Sequence, residues 1–121
     1  MSEKKWNRLK GRLGEDEGES YLKDQGYKIL ERNVQSPFGE IDLIAAHKGY
    51  LVFVEVKSRR NTSFGFPEEA ITVRKKMQLV RLASWYLSRY PKFPQARFDV
   101  LAIQKEGSEA GIRLIQNAFE I

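Results

Sequence analysis

Asp42, Glu55 and Lys57 are the side chains whose types and spacing could do chemistry. They stand in the stretch GEIDLIAAHKGYLVFVEVK, from Gly39 to Lys57. Two short runs there, rich in β-branched and aromatic residues, are separated by His47, Lys48 and Gly49, which is the composition of a β-hairpin. Alternation along the second run puts Leu51, Phe53, Glu55 and Lys57 on one face and Tyr50, Val52, Val54 and Val56 on the other. A two-residue turn at Lys48 and Gly49 brings Asp42 directly opposite Glu55, with Cβ atoms about 5 Å apart. Carboxylates so placed repel each other. A hard divalent cation such as Mg²⁺ answers that repulsion, because it takes oxygen ligands and commonly uses one or two carboxylates with water and phosphate. On this reading Asp42 and Glu55 hold the metal, the metal acidifies a bound water, and Lys57 orients that water or meets charge developing on a phosphate. The same residues also fit a solvated strand face on which Lys57 pairs with Glu55 and Asp42 ends a turn.

Composition removes most other chemistries. The chain has no cysteine and a single histidine, His47. Disulfides, thiolate zinc sites, cysteine nucleophiles, His-rich metal sites and a serine triad within one chain are thereby excluded. Catalysis would rest on carboxylates and lysine. The net charge is +5 with a pI near 9.5, and it is unevenly spread. Residues 1–57 carry 10 basic and 10 acidic side chains, residues 58–121 carry 11 and 6. A polyanionic partner such as nucleic acid suits that bias. The 121 residues, 41% hydrophobic and 31% charged, read as a single soluble domain over residues 1–121. No apolar run approaches the length needed to cross a bilayer, and MSEKKWNRLKGRLGE lacks the apolar core of a signal peptide. The expected location is the cytoplasm, with no membrane partner.

The elements that must position the acids follow in order. Residues Leu9 to Gln25 read as a helix stopped by Gly26. At 100° per residue Glu15 falls within about 20° of Leu22 on the apolar stripe, so Glu15 is the helix acid to aim at the site; the alternative is a carboxylate favoured by the helix N-terminus. Tyr27 to Val34 reads as a strand, closed by a turn over Gln35 to Gly39. After the hairpin, Ser58 to Pro67 mixes Arg59 and Arg60 with Phe64 and Phe66, either a substrate-facing loop or an ordinary connection. A long helix is expected from Pro67 or Glu68 to Tyr90, with Leu79, Val80, Leu82, Ala83, Tyr86, Leu87 and Tyr90 facing a core. Arg74, Lys75 and Lys76 sit near its start, where the macrodipole does not favour cations; a phosphate partner or a solvated basic face accounts for them. Two strands follow, Arg97 to Gln104 and Ile112 to Gln116, and Ala118 and Phe119 dock the C-terminus. The order is αβββαββ, which calls for an α/β fold with a mixed sheet flanked by helices.

These motifs coincide with those of a known family. Gly14-Glu15, Tyr21-Leu22, Gly26-Tyr27, Asn33, Gly39-Glu40-Ile41-Asp42-Leu43-Ile44, Val52-Phe53-Val54-Glu55-Val56-Lys57, Arg59, Phe64-Gly65, Arg97-Phe98-Asp99 and Ala118-Phe119 together resemble the YraN-like family of small bacterial proteins. That family is similar to the restriction-endonuclease-like PD-(D/E)xK superfamily and to Holliday-junction resolvases. The resemblance implies a restriction-endonuclease-like core and a phosphodiester-cleaving site. In that site Asp42, Glu55 and the Val56 carbonyl bind Mg²⁺ or Mn²⁺, Lys57 acts on the water or phosphate, and Glu15 matches the extra helix glutamate of resolvase-like members. Ile41 stands where the broader signature often has proline. Arg59, Arg60 and Lys75 are expected to hold a nucleic-acid backbone, DNA above all and branched or structured DNA among the substrates. A homodimer would suit cutting two strands symmetrically. The competing readings are a non-catalytic nucleic-acid-binding module of the same fold and a hydrolase of small nucleotides.

Overall fold

The computed structural model describes residues 16–59, 72–89, 95–104 and 111–118. Helix α1 is helical over residues 16–24. It ends in a Schellman arrangement, with Tyr27 N–H donating to the Leu22 carbonyl at 2.9 Å and Gly26 N–H to the Lys23 carbonyl at 3.1 Å. Gly26, at φ 92°, takes the left-handed position that this ending needs. Then come β1 (Lys28–Ser36), β2 (Gly39–His47), β3 (Tyr50–Arg59), α2 (Val73–Arg89), β4 (Gln95–Gln104) and β5 (Gly111–Ile115). The observed order is αβββαββ, as the sequence patterns require. The first strand runs to Ser36 because the turn is the tighter Pro37–Phe38 pair.

The five strands form one sheet in the order β1-β2-β3-β4-β5. Only β3 and β4 are parallel, because only they are joined by a helix crossover; the other neighbours are antiparallel. The β2–β3 hairpin turns through Lys48 (φ 49°) and Gly49 (φ 84°), the two successive positive φ values of the turn that suits a twisted hairpin. That turn fixes the register from His47↔Tyr50 to Leu43↔Val54.

Each sheet face carries its own core. Ile44, Leu51, Phe53 and Phe98 pack under Leu79, Leu82, Ala83 and Tyr86 of α2. Leu43, Ala45, Val52, Val54 and Leu101 pack with Leu22 of α1 and Tyr27. Fully burying each leucine, isoleucine, valine or phenylalanine among them contributes about 1.5–3 kcal/mol. Helix α1 rides close to the sheet at Gly18, where a Cβ would meet Leu101 Cδ2 at 2.6 Å. Helix α2 begins at Val73, later than the expected Pro67 or Glu68. Its cap is Thr72, whose Oγ1 accepts the Lys75 N–H at 3.1 Å.

A buried polar knot ties the far end of the sheet. Asp99, 1% exposed, receives Arg97 Nε on Oδ1 and Arg97 Nη2 on Oδ2, both at 2.9 Å, Tyr27 O–H at 2.7 Å and Asn117 N–H at 2.9 Å. His47 is buried at the end of β2 and stacks on Tyr27 with ring centroids 4.0 Å apart. Arg97 can only donate, so its 2.9 Å contact with His47 Nδ1 makes that nitrogen an acceptor and places the neutral ring's proton on Nε2. Ala118 N–H donates to the Phe98 carbonyl at 2.8 Å, docking the end of the described chain.

Candidate active site

Asp42 occupies the place where the hairpin opens. The β2–β3 ladder ends at Leu43↔Val54, one step short of Asp42 and Glu55. Beyond it, Val56 N–H donates to Asp42 Oδ2 at 2.7 Å, so a carboxylate replaces a backbone carbonyl as acceptor. Facing also slips here. Ile41 and Ile44 lie in the same core cluster, which strict alternation forbids, while Leu43 and Ala45 lie in the other. On the far side β1 bends at Asn33, φ 51°, within the gap between Arg32↔Leu43 and Val34↔Ile41 that faces Asp42.

Glu55 follows Leu51 and Phe53 on the α2 face of β3, and it is only 8% exposed. Lys57 Nζ and Lys75 Nζ each lie 3.7 Å from Glu55 Oε1. That separation is longer than a hydrogen bond, so both ammonium groups keep protons to direct elsewhere. Glu55 Oε2 is buried and has no hydrogen-bond partner among the described residues. Burial raises the Glu55 pKa above the ordinary carboxylate value even though Lys75 and Lys57 oppose it. Asp42 is pushed up to about 6, by burial first and then by the Glu55 charge, against the Val56 N–H and the two lysines. At both acids burial outweighs the two lysines, so the pair sits in a poorly solvated space that penalises its ionised form.

Lys75 stands inside this cluster and not on the solvated side of α2. It lies one turn before Leu79 and two before Leu82, so the stripe that faces the core also aims Lys75 at Glu55. That signal was present in the spacing, masked by two neighbouring cations. Arg59 is the last residue of β3, opposite Gln104 on β4. Glu15, Arg60, Phe64 and Phe66 lie outside the described residues. Among the described residues no third carboxylate or imidazole joins Asp42 and Glu55.

The donor set is compatible with a hard cation. It offers two carboxylates, one of them with an oxygen that no described residue satisfies, and the strand backbone of Val56 between Glu55 and Lys57. Small oxygen-seeking ions fit such a set; soft thiophilic metals have no sulfur ligand here.

A mixed five-stranded sheet in αβββαββ order, with an aspartate on one hairpin strand and Glu-x-Lys on the next, defines an α/β protein with a restriction-endonuclease-like core. The chain belongs to the YraN family, whose model, described as uncharacterised protein family UPF0102, matches residues 14–103. It is similar to the UPF0102 protein of Syntrophotalea carbinolica, with 47% identity covering 92% of this chain and 91% of the relative. It is 48% identical to the UPF0102 protein of Lachnoclostridium phytofermentans, covering 93% and 94% of the two chains. The UPF0102 protein of Syntrophomonas wolfei is 47% identical, with 93% and 99% covered.

Proposed function

We propose that this chain is a divalent-metal-dependent endonuclease that hydrolyses phosphodiester bonds of DNA, with branched or structured DNA among its substrates. The observation that carries the reading is the state of Glu55: buried, flanked by two lysines on Oε1, and unsatisfied at Oε2. An acid pair kept in that state for stability alone is costly, since a buried unpaired polar atom costs about 1–3 kcal/mol. A site that must take up a cation and an anionic phosphate has a use for it.

Asp42, Glu55 and the Val56 carbonyl would hold Mg²⁺ or Mn²⁺. When bound, the ion supplies positive charge to a phosphate oxygen and makes a water more acidic. Lys57 and Lys75 contribute what the chain itself brings: two ammonium groups, pre-set by Glu55, whose free protons can meet the charge that grows on a phosphate during attack. Val56 N–H holds Asp42 in orientation from behind. Glu15 is assigned the outer ligand or water anchor by resemblance, and Arg59 and Arg60 the strand backbone. The excess of basic side chains after residue 57 suits a partner held through phosphates, largely without regard to sequence.

One observation favours a second reading, a non-catalytic nucleic-acid-binding module. Lys57 and Lys75 together balance the charge of the acid pair without any ion. Cleavage decides between them. Purified protein is incubated with linear, flapped and four-way DNA in Mg²⁺ and in Mn²⁺, beside Glu55→Ala and Lys57→Ala. The endonuclease reading expects cutting by the wild type and its loss in both variants. Equal residual cutting by all three refutes it, and binding without cutting selects the binding module.

A further inference from the structure

The large hydrophobic side chains left exposed among the described residues are Phe38 (39%), Val73 (73%) and Met77 (55%). All three line one open groove of about 860 Å³ between the β1–β2 turn and the first half of α2. Arg74 and Arg81 line it as well, and among the described residues no acidic one does. Both arginines are exposed, and no ion pair holds either among the described residues. An apolar floor left in water is unfavourable, and the two exposed guanidinium groups at its edge favour an anion beside it. It needs an occupant that is flat, apolar on its faces and anionic on its rim.

We infer that this groove seats an unpaired stretch of nucleic acid, with bases on Phe38 and Met77 and phosphates on Arg74 and Arg81. The inference rests on the endonuclease reading for its orientation and names the substrate class of that site. Arg74 and Arg81, seven residues apart, share the groove side of α2 about 10 Å apart along the axis. Lys75, the neighbour of Arg74, turns to Glu55 instead. Helix α2 thus presents one cation to the acid pair and two to the groove. Phe38 stands in the turn just before β2 and precedes Asp42 by four residues, a separation of at most about 13 Å along the chain. Phe38 is thus within reach of the next few nucleotides of a strand whose scissile phosphate sits at the acids. Fully paired DNA buries its base faces in the stack and offers Phe38 nothing. Single strands, flaps and junction arms with unpaired bases do. A second copy of the chain is a poor occupant, because a twofold contact here would set arginines against arginines.

The test measures binding without chemistry. A short fluorescein-labelled oligothymidylate and a blunt duplex of equal length are titrated in EDTA with wild type, Phe38→Ala and the double variant Arg74→Ala/Arg81→Ala. All the substituted side chains are exposed, and circular dichroism checks that the fold is kept. The inference expects Phe38→Ala to weaken single-strand binding about tenfold, the worth of one stacked base, and duplex binding by less than about twofold. It expects the arginine double variant to lower the single-strand salt slope by about 1.4, two phosphates' share. Unchanged single-strand affinity in both variants overturns it, as do equal losses on duplex and single strand in Phe38→Ala. Sedimentation of a wild-type dimer that Phe38→Ala separates would assign the groove to a second copy and also overturn it. Absence of cleavage alongside the expected binding pattern would sink the endonuclease reading alone.

Discussion

Replacing Asp42 by asparagine should stabilise the protein when no divalent metal is present. Asn keeps an oxygen to accept the Val56 N–H that Asp42 Oδ2 takes at 2.7 Å, yet it removes a charge that burial and Glu55 both oppose. The Asp42 pKa rises from 3.8 to about 6. At about 1.4 kcal/mol per unit, the ionised form costs the fold at most about 3 kcal/mol at neutral pH. The sign follows from a folded-state pKa above the unfolded one. Stability is present while the carboxyl is protonated in both states and is lost as pH rises through the folded value, so the penalty is complete above about pH 7. By the same linkage it shrinks to about 1 kcal/mol at pH 4.5. For a chain of this length, 3 kcal/mol corresponds to a gain of roughly 10 °C in Tm. Urea unfolding of wild type and Asp42→Asn in EDTA, at pH 7.5 and at pH 4.5, measures it. A Mg²⁺ concentration that half-saturates the wild type should then stabilise it more than the variant. An Asn variant less stable than wild type at pH 7.5, or offset equally at both pH values, would refute the reasoning.

Two further outcomes concern the polar knot. Tyr27→Phe removes the hydroxyl that donates to Asp99 and accepts from Arg97 and Gln116; it should cost about 1–3 kcal/mol in urea unfolding with little change in DNA cleavage. His47 has its pKa lowered, by burial first and then by Arg97 and Lys48, so its contribution to stability is present above the ordinary imidazole value of 6.5 and is lost as pH falls below it. Between pH 7.5 and 5 the wild type should therefore lose stability relative to His47→Gln, a comparison that cancels the opposite trend from Asp42. Parallel pH profiles of the two proteins would count against it.

Local chemistry made the hairpin legible. Lys48 and Gly49 fix the turn, the turn fixes the register as far as Leu43↔Val54, and that register puts Leu51 and Phe53 under α2 and leaves Asp42 and Glu55 just past the end of the ladder, not in a paired position. Features that depend on distant partners were not legible. His47 reads as a turn residue until Tyr27 and Arg97, 20 and 50 positions away, close over it. Pro67 and the acids after it offer a helix start in the sequence as good as Thr72, and only the observed cap at Thr72 separates the two. Charge alone groups Lys75 with Arg74 and Lys76, while its spacing from Leu79 separates it from both. The kink at Asn33 and the slip in facing at Asp42 break the period of two that pattern reading assumes.

The central claim is that Asp42 and Glu55 form a cation site. Titration of Mn²⁺ into the DNA-free protein, followed by electron paramagnetic resonance of the free ion, tests it without reference to turnover. The account predicts saturable binding that Asp42→Asn weakens and that Asp42→Asn combined with Glu55→Gln abolishes, with both proteins folded. Binding of equal strength in the double variant would contradict it.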